Sequence, residues 1–452
     1  MRWIEMTEER QEAILNSLLE NDKEKLYDLI DNMYPIDIAI ILEEFDDESL
    51  LKLYGSINNE LMAEIVEQAS EELQIRIIKL FDFESIVQLF SYMSNDDIAD
   101  ILGNLPIKMR KDLLKMMKAG DTKQLQELIG YAEDSAGGIM TTEYIALKGD
   151  LSIGESLKKI KEIGPKTEVI ETIFVLNRSK ELIGTADLRD ILLAPEEKKL
   201  IDIMNDNIIS VNPEEDQEKV SLLVSKYDLK AIPVINQKNS LLGIITVDDI
   251  IDVIVEEQTE DMLRLGGVSK EERVDSTLTT SIKKRLPWLF INLGTAFLAA
   301  FTVGLFEDVI AQVVALAAAM PIVAGMGGNA GTQTLSLVIR GIALGEVDLK
   351  KNWKLVFKEI ALGIINGAAT GILTGMILYM KYGNPYLGLI IFAAMIGNLV
   401  IAGFFGFLIP LILKVLNIDP ALASAIFLTT ATDVFGFFLF LGLAKMFLPL
   451  LM

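Results

Sequence analysis

The chain has 452 residues, enough for two or three domains, with 65 acidic and 41 basic residues and neither Cys nor His. Without thiol or imidazole, the usual zinc, copper and iron sites, Ser-His and Cys-His nucleophiles and imidazole proton relays are excluded; oxygen ligands remain, and these suit Mg2+, Ca2+ or Mn2+. The net charge of −24 is unevenly spread: residues 282–452 hold seven acids against eleven bases, so residues 1–281 carry −28, a field that repels nucleic acid and attracts cations.

The first twenty residues are acidic and amphipathic, with no apolar signal core, and are expected in the cytosol. Residues 1–135 read as short amphipathic helices joined by tight turns. Asp37-Ile38-Ala39-Ile40-Ile41-Leu42 returns as Asp97-Ile98-Ala99-Asp100-Ile101-Leu102. This repetition points to an all-α superhelix, although an ordinary helical bundle fits the periodicity equally well.

From 136 to 257 the pattern becomes α+β and repeats itself, at about 136–197 and 198–257. Met140-Thr141-Thr142 opens one copy and Met204-Asn205-Asp206 the other. Each copy continues with a helix, then a buried-strand run (Ile173 to Asn177, Ile232 to Asn236). Each closes with a strand and helix (Leu182 to Leu192, Leu241 to Ile251). Two βαββα units of this kind resemble a tandem CBS pair, a regulatory module that commonly binds adenine nucleotides.

Residues 258–284 are polar and charged and are expected to form a connecting helix. Residues 285–452 read as an all-α membrane domain of five spans, roughly 286–306, 309–340, 355–380, 386–414 and 421–448. The second is longer than needed, and its excess surrounds Pro321, Gly325, Gly327 and Gly328, so a break is expected there. Lys283, Lys284 and Arg285 precede the first span; Arg340, Lys350, Lys351, Lys354 and Lys358 lie between the second and third; Lys414 follows the fourth. Basic loops stay in the cytoplasm, which puts the N-terminus inside and the C-terminus outside a multi-pass cell-membrane protein.

Asp433 carries the most chemical information. A carboxylate near the centre of the fifth span costs roughly 2.5–3.5 kcal/mol on insertion scales, so it needs compensation. Thr429 and Thr430 share its helical face. A protonated Asp433 bonded between helices is one reading. A pore-lining carboxylate fits better, since a two-fold dimer would set two copies on its axis, ready for a divalent ion. The second span adds Gly327-Gly328-Asn329-Ala330-Gly331-Thr332-Gln333-Thr334, whose glycines allow close approach and whose Asn329 and Gln333 add amide oxygens. Asn366 and Asn398 are further intramembrane amides, read as inter-helix hydrogen bonds.

A helical N domain, a CBS pair, a charged connector and five spans carrying GGNAGTQT and TATDVFG resemble the MgtE family of Mg2+ channels over essentially the whole chain. The resemblance implies a homodimer in membrane lipid with a central pore. Its metal-binding residues would be Asp433, Asn329, Thr332 and Thr429, with Asp419 at the pore mouth. Thr332 stands where the family often has Asn. The resemblance also implies a regulatory Mg2+ sensor built from Asp96 and Asp100, Asp216 and Glu218, Asp228, and Asp249, Asp252, Glu257, Glu260 and Asp261. The last five lie in a run, 248–261, that contains no base. Asp249, Asp252, Glu256 and Glu260 would share a helix face at a like-charge penalty. ATP is a second expected ligand of the CBS pair, through Arg189, Asp190, Leu229 and Thr246.

The expected function is therefore a Mg2+-selective channel for Mg2+ influx, closed when cytosolic Mg2+ binds the acidic N and CBS domains. The nearest alternative is a coupled transporter of divalent cations (Mg2+, Co2+, Mn2+) with nucleotide regulation. A CBS-regulated anion channel would need a cationic lining. A membrane enzyme would need a second catalytic group at the depth of Asp433, where only Thr and Asn stand, so no enzyme is expected.

Overall fold

The computed structural model describes residues 2–452 apart from 21, 32, 168, 271, 275, 348–352 and 417, with no side chain described at 2–9, 119, 121, 166, 422 and 423. Lys350 and Lys351, used above for orientation, lie outside the described residues. The chain divides into two units, Met1–Val253 and Ile254–Met452.

The first unit begins with helices α1 (Arg2–Glu20), α2 (Lys23–Ile30), α3 (Pro35–Leu42), α4 (Asp47–Tyr54), α5 (Asn59–Glu67), α6 (Glu71–Leu80), α7 (Phe83–Phe90), α8 (Asn95–Gly103), α9 (Ile107–Met116) and α10 (Ala119–Leu128). From α2 on, their N-caps recur every twelve residues, at Asp22, Tyr34, Asp46, Asn58, Ser70, Asp82, Ser94, Pro106 and Lys118. Asp22, Asp46, Asn58, Ser70 and Asp82 each accept the N–H three residues on, a cap worth about 1 kcal/mol. After the caps at Tyr34, Asn58, Asp82 and Ser94, apolar residues fill the fourth, seventh and eighth places, as in Ile38, Ile41 and Leu42 or Ile98, Ile101 and Leu102, and all of these are buried. Alternate helices therefore stack: α3, α5, α7 and α9 in one row, α4, α6, α8 and α10 in the other. This is the superhelix, and the offset from Asp37 to Asp97 is five of its periods.

The CBS pair follows as β1 (Tyr144–Lys148), α11 (Ile153–Ile163), β2 (Val169–Leu176), β3 (Leu182–Asp187), α12 (Leu188–Leu193), then α13 (Gln217–Tyr227), β4 (Ala231–Ile235), β5 (Leu241–Thr246) and α14 (Val247–Leu265). In the first copy β1 is parallel to β2, and β2 antiparallel to β3. The opening strand of the second copy shrinks to one parallel bridge, Val211 to Val234. Pro233 turns its carbonyl to Val211, and its nitrogen, on the same edge, has no hydrogen to extend the ladder. The copies exchange their opening segments. Thr141 pairs with Ile244 of the second, and Asn205 with Thr185 of the first. Gly243 and Gly184 make room for this: a Cβ there would lie 2.8 Å from the Met140 sulfur and 2.6 Å from that of Met204. Phe174 and Leu182 of one copy share a core with Ala231 and Ile244 of the other.

The second unit contains α15 (Leu278–Gly304), α16 (Glu307–Gln312), α17 (Ala315–Ala343), α18 (Trp353–Tyr382), α19 (Pro385–Val415), α20 (Pro420–Met446) and α21 (Leu448–Leu451). Among the described residues, four helices are long and apolar enough to cross a membrane: α15, α18, α19 and Ser424–Met446 of α20. At 29 residues α17 is also long enough, about 43 Å, but its GGNAGTQT stretch makes it less apolar.

Two expectations about elements need correction. The second span does not break around Pro321 and Gly325. Helix α17 runs through them, and the interruption lies earlier, at 313–314 between α16 and α17. Gly327 and Gly331 pack closely against Asn398 and Leu428 of neighbouring helices, which supports a continuous helix where propensity alone would interrupt it. Likewise, 258–284 is not one helix: α14 ends at Leu265, Gly267 takes φ 71°, and helix resumes at Leu278.

Close approach of α18 and α19 rests on Gly363, Gly367, Gly371 and Gly375, one per turn. A Cβ on each would meet α19 backbone at 2.7, 2.6, 3.0 and 2.6 Å, at Leu399, Ile396, Phe392 and Gly388.

Candidate functional site

In the membrane unit, Asn329 is the middle residue of α17 and Asp433 the middle residue of α20. The two helices pack on each other, with the Leu428 side chain seated against Gly331, where a Cβ would lie 2.9 Å from it. Within this unit Asn329, Thr332, Gln333 and Thr429 are exposed and Asp433 is half-buried. Among the described residues Asp433 has neither a hydrogen-bond nor an ion-pair partner. The Thr429 hydroxyl donates to the Ala425 carbonyl at 2.5 Å, so its oxygen lone pairs are the part left for a ligand. Polar groups half-way along membrane-length helices cannot face lipid at low cost. The Asp433 face therefore has the chemistry of a wet, oxygen-lined surface.

Asp419 sits at the start of α20 and is already engaged. Its Oδ1 accepts the Ala421 N–H at 2.7 Å, and its carboxylate pairs with the Arg264 guanidinium. Arg264 also pairs with buried Glu260, and the Lys270 ammonium lies 3.3 Å from Glu260 and 3.8 Å from Glu256. Glu260 and Asp419, both expected from the sequence as metal ligands, share the Arg264 guanidinium in this structure. Asp261 is next to this network, and burial pushes its carboxyl up. Glu257 lies between Glu256 and Glu260 on the same helix.

In the first unit, Asp96, Asp97 and Asp100 of α8 come together with Asp249 of α14, Glu143 ahead of β1 and Glu67 at the end of α5. Asn95 ties α8 to this region, donating to Thr142 Oγ1 at 3.1 Å. Burial pushes the Asp100 carboxyl up to about 7, aided by the fields of Asp96, Asp97, Glu133 and Asp249. Burial is also the leading cause at Glu67, raised to about 7. It raises Asp97, Glu143 and Asp249 to about 6 each. Asp96 Oδ1 is buried without a hydrogen-bond partner. Among the described residues no three of these groups converge closely enough to hold a metal directly. The arrangement is a self-repelling carboxylate cluster with no closed chelate.

Sequence reasoning found Asp96, Asp100 and Asp249 but missed Glu67, Asp97 and Glu143. Glu67 meets α8 across the two rows of helices, which the twelve-residue period alone does not show, and nothing in the sequence marks Glu143. The other proposed sensor acids are not brought to this cluster. Asp216 caps α13, accepting the Glu218 N–H at 2.8 Å, with Glu218 in that helix's first turn. Asp228 ends α13 in a left-handed conformation, φ 51°. Asp252 is exposed on α14. The shared acidic face expected on α14 is thus divided, with Asp249 turned into the cluster and Glu260 into the Arg264 network.

A cavity of about 500 Å3 is lined by Glu171, Asp187, Leu188, Arg189, Leu192, Leu193 and Lys230. Lys230 lies 3.4 Å from Asp187. Of the expected nucleotide residues only Arg189 lines it. Asp190 and Leu229 do not, and buried Thr246 gives its hydroxyl to Asp249 Oδ2.

Three families match along the chain: the MgtE intracellular N domain at residues 33–134, the CBS domain at 136–197 and 200–256, and MgtE, described as a divalent cation transporter, at 320–443. The chain is 33% identical to the magnesium transporter MgtE of Bacillus subtilis over 93% of each chain. With that of Thermus thermophilus it shares 32% identity over 98% of this chain and 99% of the relative. Among solved structures, the cytosolic domain of the Mg2+ channel MgtE in complex with ATP superposes with a TM-score of 0.51 at 28% identity, covering 54% of this chain and 99% of that one. The soluble part of a magnesium transporter gives 0.52 at 25% identity, covering 56% and 99%. With identity above 30% over more than nine-tenths of two magnesium transporters, the chain belongs to the MgtE family of magnesium transporters.

Proposed function

We propose that the chain is a Mg2+-selective channel that admits Mg2+ to the cytosol and is closed by cytosolic Mg2+. The observation that carries this is Asp433, a carboxylate with no protein partner among the described residues, at the middle of a membrane-length helix beside exposed Asn329, Thr332 and Thr429. One chain leaves these oxygens open, and a second copy facing them would enclose a path lined by two carboxylates, so the working unit is a homodimer. Mg2+ dehydrates reluctantly, and a few well-separated oxygens that accept its water shell suit it better than a closed cage. We assign residues 1–135 to the N domain, 136–257 to the CBS pair, 258–284 to the connector and 285–452 to the pore domain. The basic loops place the N-terminus inside and the C-terminus outside.

Closure is electrostatic in this reading. Glu67, Asp97, Asp100, Glu143 and Asp249 repel one another, and hydrated Mg2+ bound through one or two of them removes the repulsion. Compaction of this cluster is favoured by the ion's differential affinity for it. Asp216, Glu218, Asp228, Asp252, Glu257 and Asp261 supply the surrounding negative field. Arg189, with Lys230 beside it, offers a cationic site for the phosphates of ATP as a second regulator.

Mg2+ flux into liposomes holding wild type or Asp433→Ala tests the permeation path. Flux should fall at least tenfold in the variant, and undiminished flux would reassign the residue. Influx driven by membrane potential alone, with no other ion gradient, separates a channel from a coupled transporter.

A further inference from the structure

We infer that Asn398 is a positioning residue that sets the spacing of α17 and α20 and, through it, which cation passes Asp433. The inference rests on the permeation path proposed above. Asn398 belongs to α19, is wholly buried, and lies between the two helices that carry Asn329 and Asp433. Its amide nitrogen donates to the Val323 carbonyl of α17 at 2.6 Å. A Cβ on Gly327 of α17 would fall 2.4 Å from that nitrogen, and a Cβ on Gly436 of α20 would fall 2.4 Å from the amide oxygen. The side chain thus occupies the Cβ space of both glycines at once. Gly436 is one helical turn from Asp433, and Gly327 is two residues from Asn329.

The amide oxygen has no hydrogen-bond partner. Only weak Cα–H donors of the kind glycine presents are left to it. A group buried in this way is retained for geometry, because an apolar side chain of similar size would avoid leaving the oxygen unpaired. Donation to Val323 takes up a carbonyl within the first turns of α17, near Pro321. The brace therefore reaches both helices by different contacts: a hydrogen bond on one side and steric fit on the other.

The test compares wild type with Asn398→Ala, Asn398→Ser, Gly436→Ala and the double variant Gly436→Ala/Asn398→Ala in liposomes, with Asp433→Ala alongside. Each is measured for maximal Mg2+ flux, for the Mg2+ concentration at half-maximal flux, and for inhibition by Co2+ and Ca2+. Gly436→Ala should lose at least tenfold in flux, and the double variant should recover most of it. Asn398→Ala and Asn398→Ser should move the half-maximal concentration or the Co2+ and Ca2+ inhibition several-fold, a change that loss of folded protein alone would not produce. If Asn398→Ala does not yield folded protein, Asn398→Ser and the double variant carry the comparison. Wild-type ion competition in the Asn398 variants, or a harmless Gly436→Ala, would overturn the inference. Undiminished flux in Asp433→Ala would instead remove the permeation path itself.

Discussion

Replacing Asp100 with Asn removes one negative charge from the cluster of Glu67, Asp97, Glu143 and Asp249, and its effect on stability can be worked out with its sign. The Asp100 carboxyl is moved from 3.8 to about 7, with burial the largest cause and neighbouring carboxylates next. The folded state therefore holds the proton more tightly than the unfolded chain. Ionisation on folding is penalised, and stability falls as pH rises from about 4 to about 7. Solvent screens this group, whose residue is exposed at the surface of the folded unit, so the difference between the two protonation states is discounted to about 1–2 kcal/mol. At roughly 3 °C per kcal/mol for a unit of this size, the transition of the first unit should shift by about 3–6 °C. Calorimetry of the full chain in detergent, without Mg2+, should show that transition rising as pH is lowered from 8 to 5.5. Mg2+ should raise it strongly at pH 8 and little at pH 5.5, where protons already neutralise the cluster. Asp100→Asn should be more stable than wild type at pH 8 and less responsive to both protons and Mg2+. A transition that stays flat or falls on acidification, or an equal Mg2+ effect at both pH values, would refute the electrostatic account.

Gly367→Ala should destabilise the membrane unit by roughly 1–3 kcal/mol, since its Cβ would stand 2.6 Å from Ile396 Cα on the facing backbone. Gly325→Ala, with open space around it, should be neutral or slightly stabilising, and thermal unfolding in detergent compares the two. Arg264→Gln should leave buried Glu260 with Lys270, at 3.3 Å, as its remaining cation and lower stability by about 1–3 kcal/mol, with partial recovery in Arg264→Gln/Glu260→Gln. No loss in the single variant would mean that solvent or a metal ion already serves that carboxylate.

Much of this architecture is written locally. The caps at Asp46, Asn58, Ser70 and Asp82 and the apolar places that follow them need only near neighbours along the chain, so the short helices were readable before any contact was known, while the stacking of alternate helices decided for a superhelix over a bundle. The same holds for the two CBS copies, whose strands and helices recur in order, and for Asp433, whose insertion cost depends on its own span alone. Composition likewise limited the metal chemistry to oxygen, because neither Cys nor His is present.

Other features depend on partners distant in sequence. Glu67 and Glu143 join the acids of α8 only through the packing of one helix row on the other and the attachment of α8 to the CBS pair, so neither stands out in its own segment. Glu260 and Asp419 are 159 residues apart, and only the tertiary structure sets Arg264 between them. Helix α17 stays continuous past Pro321 because neighbouring helices hold it, against its local propensity to break. Asn398 shows the division most clearly. The sequence marks it as a polar group in lipid, which must find a hydrogen bond. Only packing decides that it fills the space of two glycines on two other helices, since steric exclusion acts between atoms that the chain order leaves far apart.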